Sequence, residues 1–99
     1  MEEPPNTALH IVPKFPLGNL VATPNALAQI PNHDIQKALL RHSCGDWGLV
    51  DADDRAANDR ALIEGTRLLS VFESETKIRF WIITEWDRSV TTILLPEDY

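Results

Sequence analysis

Polar and apolar positions along the 99-residue chain change their period once, at Gly65. Before it, apolar residues recur at helical spacing. In "HDIQKALLRHS" Ile35, Ala38, Leu39 and His42 fall at i, i+3, i+4 and i+7, so one stripe faces a core and His42 continues it. After Gly65 the spacing becomes two. "TRLLSVFE", "KIRFWIITEW" and "VTTILL" are rich in β-branched and aromatic residues and predict three strands. The links "SET" and "DRS" are too short for crossovers, so the strands should form an antiparallel meander with the second at its centre.

The helix limits follow from capping residues. Thr23 with Pro24 behind it starts a brief helix that Pro31 stops. Asn32 is placed to open the second helix and Gly45 to close it in a left-handed turn. Asp51 caps the third, with Asp53 and Asp54 in its first turn, and Gly65 ends it. Ala57, Asn58, Ala61 and Leu62 give this helix a small-residue face suited to close packing. "FPLGNLVA" reads as extended. The fold class expected is therefore α+β: two main helices and a short N-terminal one, followed by a three- or four-stranded antiparallel meander. Residues 1–14, with Pro4, Pro5 and Pro13 and no periodicity, read as a loose arm before a single domain over 15–99.

In the central strand Ile78, Phe80, Ile82, Thr84 and Trp86 should face the helices, leaving Arg79, Trp81, Ile83 and Glu85 on the other side. Trp81 and Ile83 then form an apolar strip rimmed by charge. Such a strip suits a partner, or a cover supplied by the N-terminal arm.

Charge narrows the function classes. Fifteen acidic against nine basic side chains give a net charge of -6, which weakens nonspecific attraction to phosphate and favours a basic protein surface as partner over direct nucleic-acid binding. The N-terminus is acidic rather than a basic-then-apolar leader, no apolar run approaches the roughly 20 residues of a membrane span, and no membrane partner is expected. One cysteine excludes an internal disulfide and points to the cytoplasm.

The densest cluster of reactive side chains is "RHSCGDWG", residues 41–48. The spacing of His33, His42 and Cys44, even with His10 added, matches no closed zinc pattern, so neither metal nor cofactor is expected. Cys44 ends a helix, and the negative end of a helix dipole is a poor setting for a nucleophilic cysteine. His42 is the one candidate acid or base, with Asp46 near enough to orient it or to bond the turn after Gly45. Together with Arg67, Ser70, Thr84, Arg88, Ser89, Thr91 and Thr92, it defines an enzyme alternative. In it His42, Arg67, Arg88 and Thr92 act on a scissile phosphate. Strand and turn propensity explains the same hydroxyls without chemistry.

"DWGLVDADDRAANDRALIE" holds six carboxylates against Arg55 and Arg60. Asp51, Asp53 and Asp54 are accounted for by a helix start, each stabilising it by roughly 0.3–1 kcal/mol. Asp46, Asp59 and Glu64 remain, and with Trp81 they are the candidate partner-binding residues.

The segments "FPLGNLVATPNAL", "HSCGDWG", "DDRAANDRAL", "GTRLLSVF" and "WIITEWDRSVTTILLPEDY" resemble a family of small bacterial proteins carried on plasmids, integrative elements and phages. Its members are often labelled "plasmid-related protein" and sometimes type I restriction subunit, a label that a chain without a methyltransferase motif does not justify. The resemblance implies a mobile-element setting, and with it a non-enzymatic, anti-restriction or anti-CRISPR inhibitor that covers a nucleic-acid-binding surface of a host defence complex. Helices followed by a meander are also similar to small metal-independent RNase toxins of the RelE and colicin type, which differ from this chain in being basic. A third expectation is a homodimer joined along "VTTILL", taken as an edge strand that Pro96 interrupts.

Overall fold

A computed structural model describes residues 12–99. Its elements run β1 (Asn19–Ala22), α1 (Pro24–Gln29), α2 (Asn32–Ser43), α3 (Ala52–Glu64), β2 (Leu68–Glu73), β3 (Arg79–Thr84), β4 (Val90–Leu94) and a closing 3-10 turn, Pro96–Asp98. The class is α+β, with three helices and a four-stranded mixed sheet. Most of the expected N-terminal arm, residues 1–11, lies outside the described residues, as do His10 and any cover the arm gives to Trp81. Its last residue, Lys14, is tied to the end of α2 by an amide donating to the Ser43 carbonyl at 2.7 Å.

The caps act largely as their residue types dictate. The Thr23 hydroxyl accepts from the Ala26 amide, the Asp51 carboxylate from the Asp54 amide, and Gly65 closes α3 in the left-handed region. Asn32 does not cap α2. It is already helical, Pro31 holds the cap position, and no side chain bonds the first amides.

Strands β2, β3 and β4 form the antiparallel meander, but the sheet is not wholly antiparallel. Its order is β1-β4-β3-β2, and β1 pairs with β4 in parallel, Asn19 opposite Val90 through Ala22 opposite Ile93. A parallel partner requires a long crossover, and all three helices and two strands of the meander supply it. One consequence overturns the dimer geometry expected from sequence: "VTTILL" lies inside the sheet, between β1 and β3, so its edge is already occupied.

The outer edge of β2 is also closed. Val71 donates its amide to the Trp47 carbonyl and accepts from Leu49, while the Asn58 carboxamide donates to the Leu69 carbonyl at 2.7 Å and accepts from the Leu69 amide at 3.1 Å. The segment at Trp47–Leu49 runs this close because residue 48 is glycine, with φ +75°; a Cβ there would collide with the Val71 carbonyl and the Phe72 ring. Among the described strands, β1 keeps the free edge, with Leu20 and Val21 about half exposed.

Two apolar clusters meet over the sheet. The larger joins α1 and α2 to Phe72, Phe80, Ile82 and Ile93; the smaller gathers Phe15, Trp47, Ala61 and Leu68. Phe80, Ile82 and Thr84 face the helices as their alternation requires. Trp86 does not. The strand ends at Thr84 and Trp86 stands in the turn, 66% exposed. On the other face Ile83 is buried and Trp81 half-buried, with the C-terminal Tyr99 ring edge-on to it at 5.6 Å.

Candidate functional site

His42 lies at the seam between the two clusters and is wholly buried. The α2 stripe points it at the sheet, and Phe15 and Trp47 meet its ring edge-on at 5.2 and 5.6 Å. Its polar atoms are fully engaged: Nδ1 is 2.6 Å from Ser70 Oγ and Nε2 is 2.8 Å from Thr84 Oγ1. Thr84 Oγ1 is in turn 2.7 Å from Thr91 Oγ1, and Thr91 donates to the Leu17 carbonyl at 2.7 Å.

Proton counting fixes the direction of this chain. The Leu17 carbonyl only accepts, so the Thr91 hydrogen is spent there and Thr84 must donate to Thr91. Thr84 then has only its oxygen to offer the imidazole, so Nε2 carries the hydrogen, and Ser70 donates to a bare Nδ1. Every member is satisfied by one neutral tautomer. A second ring proton would require Ser70 to turn its hydroxyl hydrogen away and accept instead. Burial, reinforced by the Arg88 charge, lowers the pKa of His42 to about 4.

Ser70, Thr84 and Thr91 of the sequence-derived hydroxyl group thus do gather around His42, but all are buried with it. The four residues of the enzyme alternative do not converge. Thr92 projects from the face opposite His42, as its pairing with Ile83, and the pairing of Ile83 with Leu69, places it. Arg67 is exposed, 3.5 Å from Glu85 and donating to the Tyr99 hydroxyl at 2.7 Å. Arg88 spends its guanidinium on the carbonyls of Ala61, Thr66 and Glu85, at 3.0, 2.6 and 3.1 Å, which closes the C-terminal end of α3. The only imidazole among these residues is fully buried, and the two arginines, though both reach Glu85, are committed to contacts within the protein.

The partner-binding candidates divide similarly. Asp46 and Asp59 line one open cleft of about 330 Å³ with Gly45, Trp47, Gly48 and Arg55. Asp46 does not orient His42. It receives Arg41 at 2.7 and 3.3 Å and the Gly48 amide at 3.1 Å, and the Arg41 hydrogen bond holds its carboxyl below the ordinary range. Asp59 accepts the Trp47 indole N–H at 3.0 Å through one oxygen. Glu64, five residues on, is turned about 140° around α3 from Asp59, and Trp81 is on the far face of the sheet.

What sequence reading missed is how little of α3 is used for packing. Only Asn58 and Ala61 are buried along its 13 residues; Ala57, expected on the packed face, is exposed, as is Ile63 at 88%. Asp53, Asp54, Asp59 and Glu64 are all exposed. The weak signal for this was present in the sequence: α3 lacks the wide apolar stripe that α2 carries.

No helix among the described residues is long and apolar enough to cross a membrane. Searches against protein-family models, curated proteins and solved structures gave no match to this chain.

Proposed function

We propose that the chain is a small acidic protein that acts by protein–protein interaction, presenting α3 and the adjoining Asp59 cleft to a basic surface of its partner. The observation that carries this reading is the exposure of α3. A helix with only Asn58 and Ala61 buried and Leu62 half-buried leaves five carboxylates from Asp51 to Glu64, against Arg55 and Arg60, together with Ile63, exposed. Charge of one sign on a protruding element steers encounter with a basic groove, and an apolar side chain within it supplies contact once docked.

Asp46 contributes less than its position suggests, because its charge is paired with Arg41. The resemblance to mobile-element proteins supplies the partner class: a nucleic-acid-binding protein of host restriction or CRISPR defence, whose phosphate groove is basic. The burial of His42 weighs against the RNase-like alternative.

The test is titration of the purified chain against such nucleases, by calorimetry, at rising salt. Wild type should bind with affinity that declines as salt is raised and should be displaced by the nuclease's own nucleic acid. Asp53→Asn, Asp59→Asn and Glu64→Gln combined should weaken binding at least tenfold, while Thr92→Val leaves it unchanged. Binding indifferent to both salt and these three charges refutes the acidic face; cleavage of RNA by wild type but not by His42→Gln refutes the non-enzymatic reading.

A further inference from the structure

One group of ligating side chains is used neither by the core nor by the α3 face. His33 and Asp34 stand in the first turn of α2, and Glu75 in the turn between β2 and β3. Forty-one residues separate Asp34 from Glu75, yet the Asp34 Oδ2 atom accepts the Glu75 backbone amide at 3.1 Å, which locks hairpin and helix together. His33 Nε2 is 3.4 Å from Asp34 Oδ1 and 3.4 Å from Glu75 Oε2, and one ligand atom from each of the three residues falls within 4.8 Å of the others.

Those separations are long for charge-assisted hydrogen bonds, which run about 2.7–2.9 Å. The two 3.4 Å separations from His33 match a different geometry. Two donors each about 2.0–2.1 Å from a tetrahedral ion stand about 3.3–3.4 Å apart. We propose that His33, Asp34 and Glu75 form a surface site for a divalent transition-metal ion of the zinc type, with one nitrogen and two oxygen donors from the protein and the remaining position open to water or to a donor from another molecule.

The donor set sets the class of ion. An imidazole with two carboxylates suits zinc and its neighbours, whereas magnesium keeps an octahedral oxygen shell. The Asp34–Glu75 amide bond supplies the outer contact that orients one ligating carboxylate before the ion arrives. Two carboxylates offset the unfavourable positive end of the α2 dipole. Bound there, the ion cross-links α2 to the β2–β3 hairpin.

The probe is Zn²⁺ alone, titrated into the full chain by calorimetry and by NMR. Wild type should take up one equivalent, with amide shifts concentrated at residues 33–34 and 74–76, and a large excess of Mg²⁺ should not displace it. His33→Ala and Glu75→Ala each should weaken uptake at least tenfold. His33 and Glu75 are exposed, so both variants should keep the wild-type circular dichroism. A Cys44→Ser chain should bind as wild type does. Absence of uptake by folded wild type, equal uptake by the two alanine variants, or loss of uptake in Cys44→Ser overturns the site.

Discussion

Acid should unfold this protein through His42 before its surface carboxylates matter, and the size of the effect follows from the closed hydrogen-bond chain. In the unfolded state the imidazole takes its proton near pH 6.5, whereas in the native molecule it does so at about 4. As pH falls below 6.5 the unfolded chain binds the proton first, so stability declines. The decline is about 1.4 kcal/mol per pH unit, amounts to about 2 kcal/mol between pH 7 and pH 5, and approaches a limit of about 3.4 kcal/mol once pH is below 4. The matching perturbation is His42→Gln, since a carboxamide keeps one acceptor for Ser70 and one donor for Thr84 but does not titrate. It should cost about 1–3 kcal/mol at pH 7 through imperfect fit, and should flatten the slope between pH 7 and 5. Urea unfolding at pH 7, 6 and 5 measures both, and ¹⁵N shifts of the ring should report an unprotonated Nδ1 throughout that range. Equal slopes in the two proteins, or a ring that titrates near 6.5 in the folded state, would refute the argument from burial.

Two further outcomes test the closure of the β2 edge. Asn58→Ala removes both bonds to the Leu69 backbone and should destabilise by about 1–3 kcal/mol in urea unfolding, with faster hydrogen exchange at the Leu69 amide. Gly48→Ala places a methyl group against the Val71 carbonyl and Phe72 ring at positive φ; it should cost about 1–3 kcal/mol or more, with the Leu49 and Val71 amides losing protection. Unchanged exchange at those amides in either variant would contradict the edge pairing.

Much of the local structure was legible. Thr23, Asp51 and Gly65 mark helix limits because capping depends on residues adjacent in sequence, and short links dictated the meander from β2 to β4. Asn32 misled because Pro31, with its fixed φ, holds the cap position. Trp86 misled because alternation was carried past the end of β3 into a turn. Of the hydroxyls that the sequence sets beside His42, Ser70, Thr84 and Thr91 gather around it and Thr92 does not, and the same pattern is compatible with an open site and with a sealed one. Only the Phe15 and Trp47 rings, from segments on either side of α2, decide between them.

By itself, then, the sequence determined what depends on near neighbours: the class of the fold, most of the helix ends, the order of the meander and a net acidic charge. Tertiary structure decided what depends on distant pairing. β1 joins β4 across some 70 residues, which turns an expected edge into the sheet's interior. His33 and Asp34 meet Glu75 only because α2 packs where the hairpin turns. The exposure of α3 likewise reflects the sheet edge that Asn58 found, since burial belongs to the surroundings of a residue and not to its place in the chain.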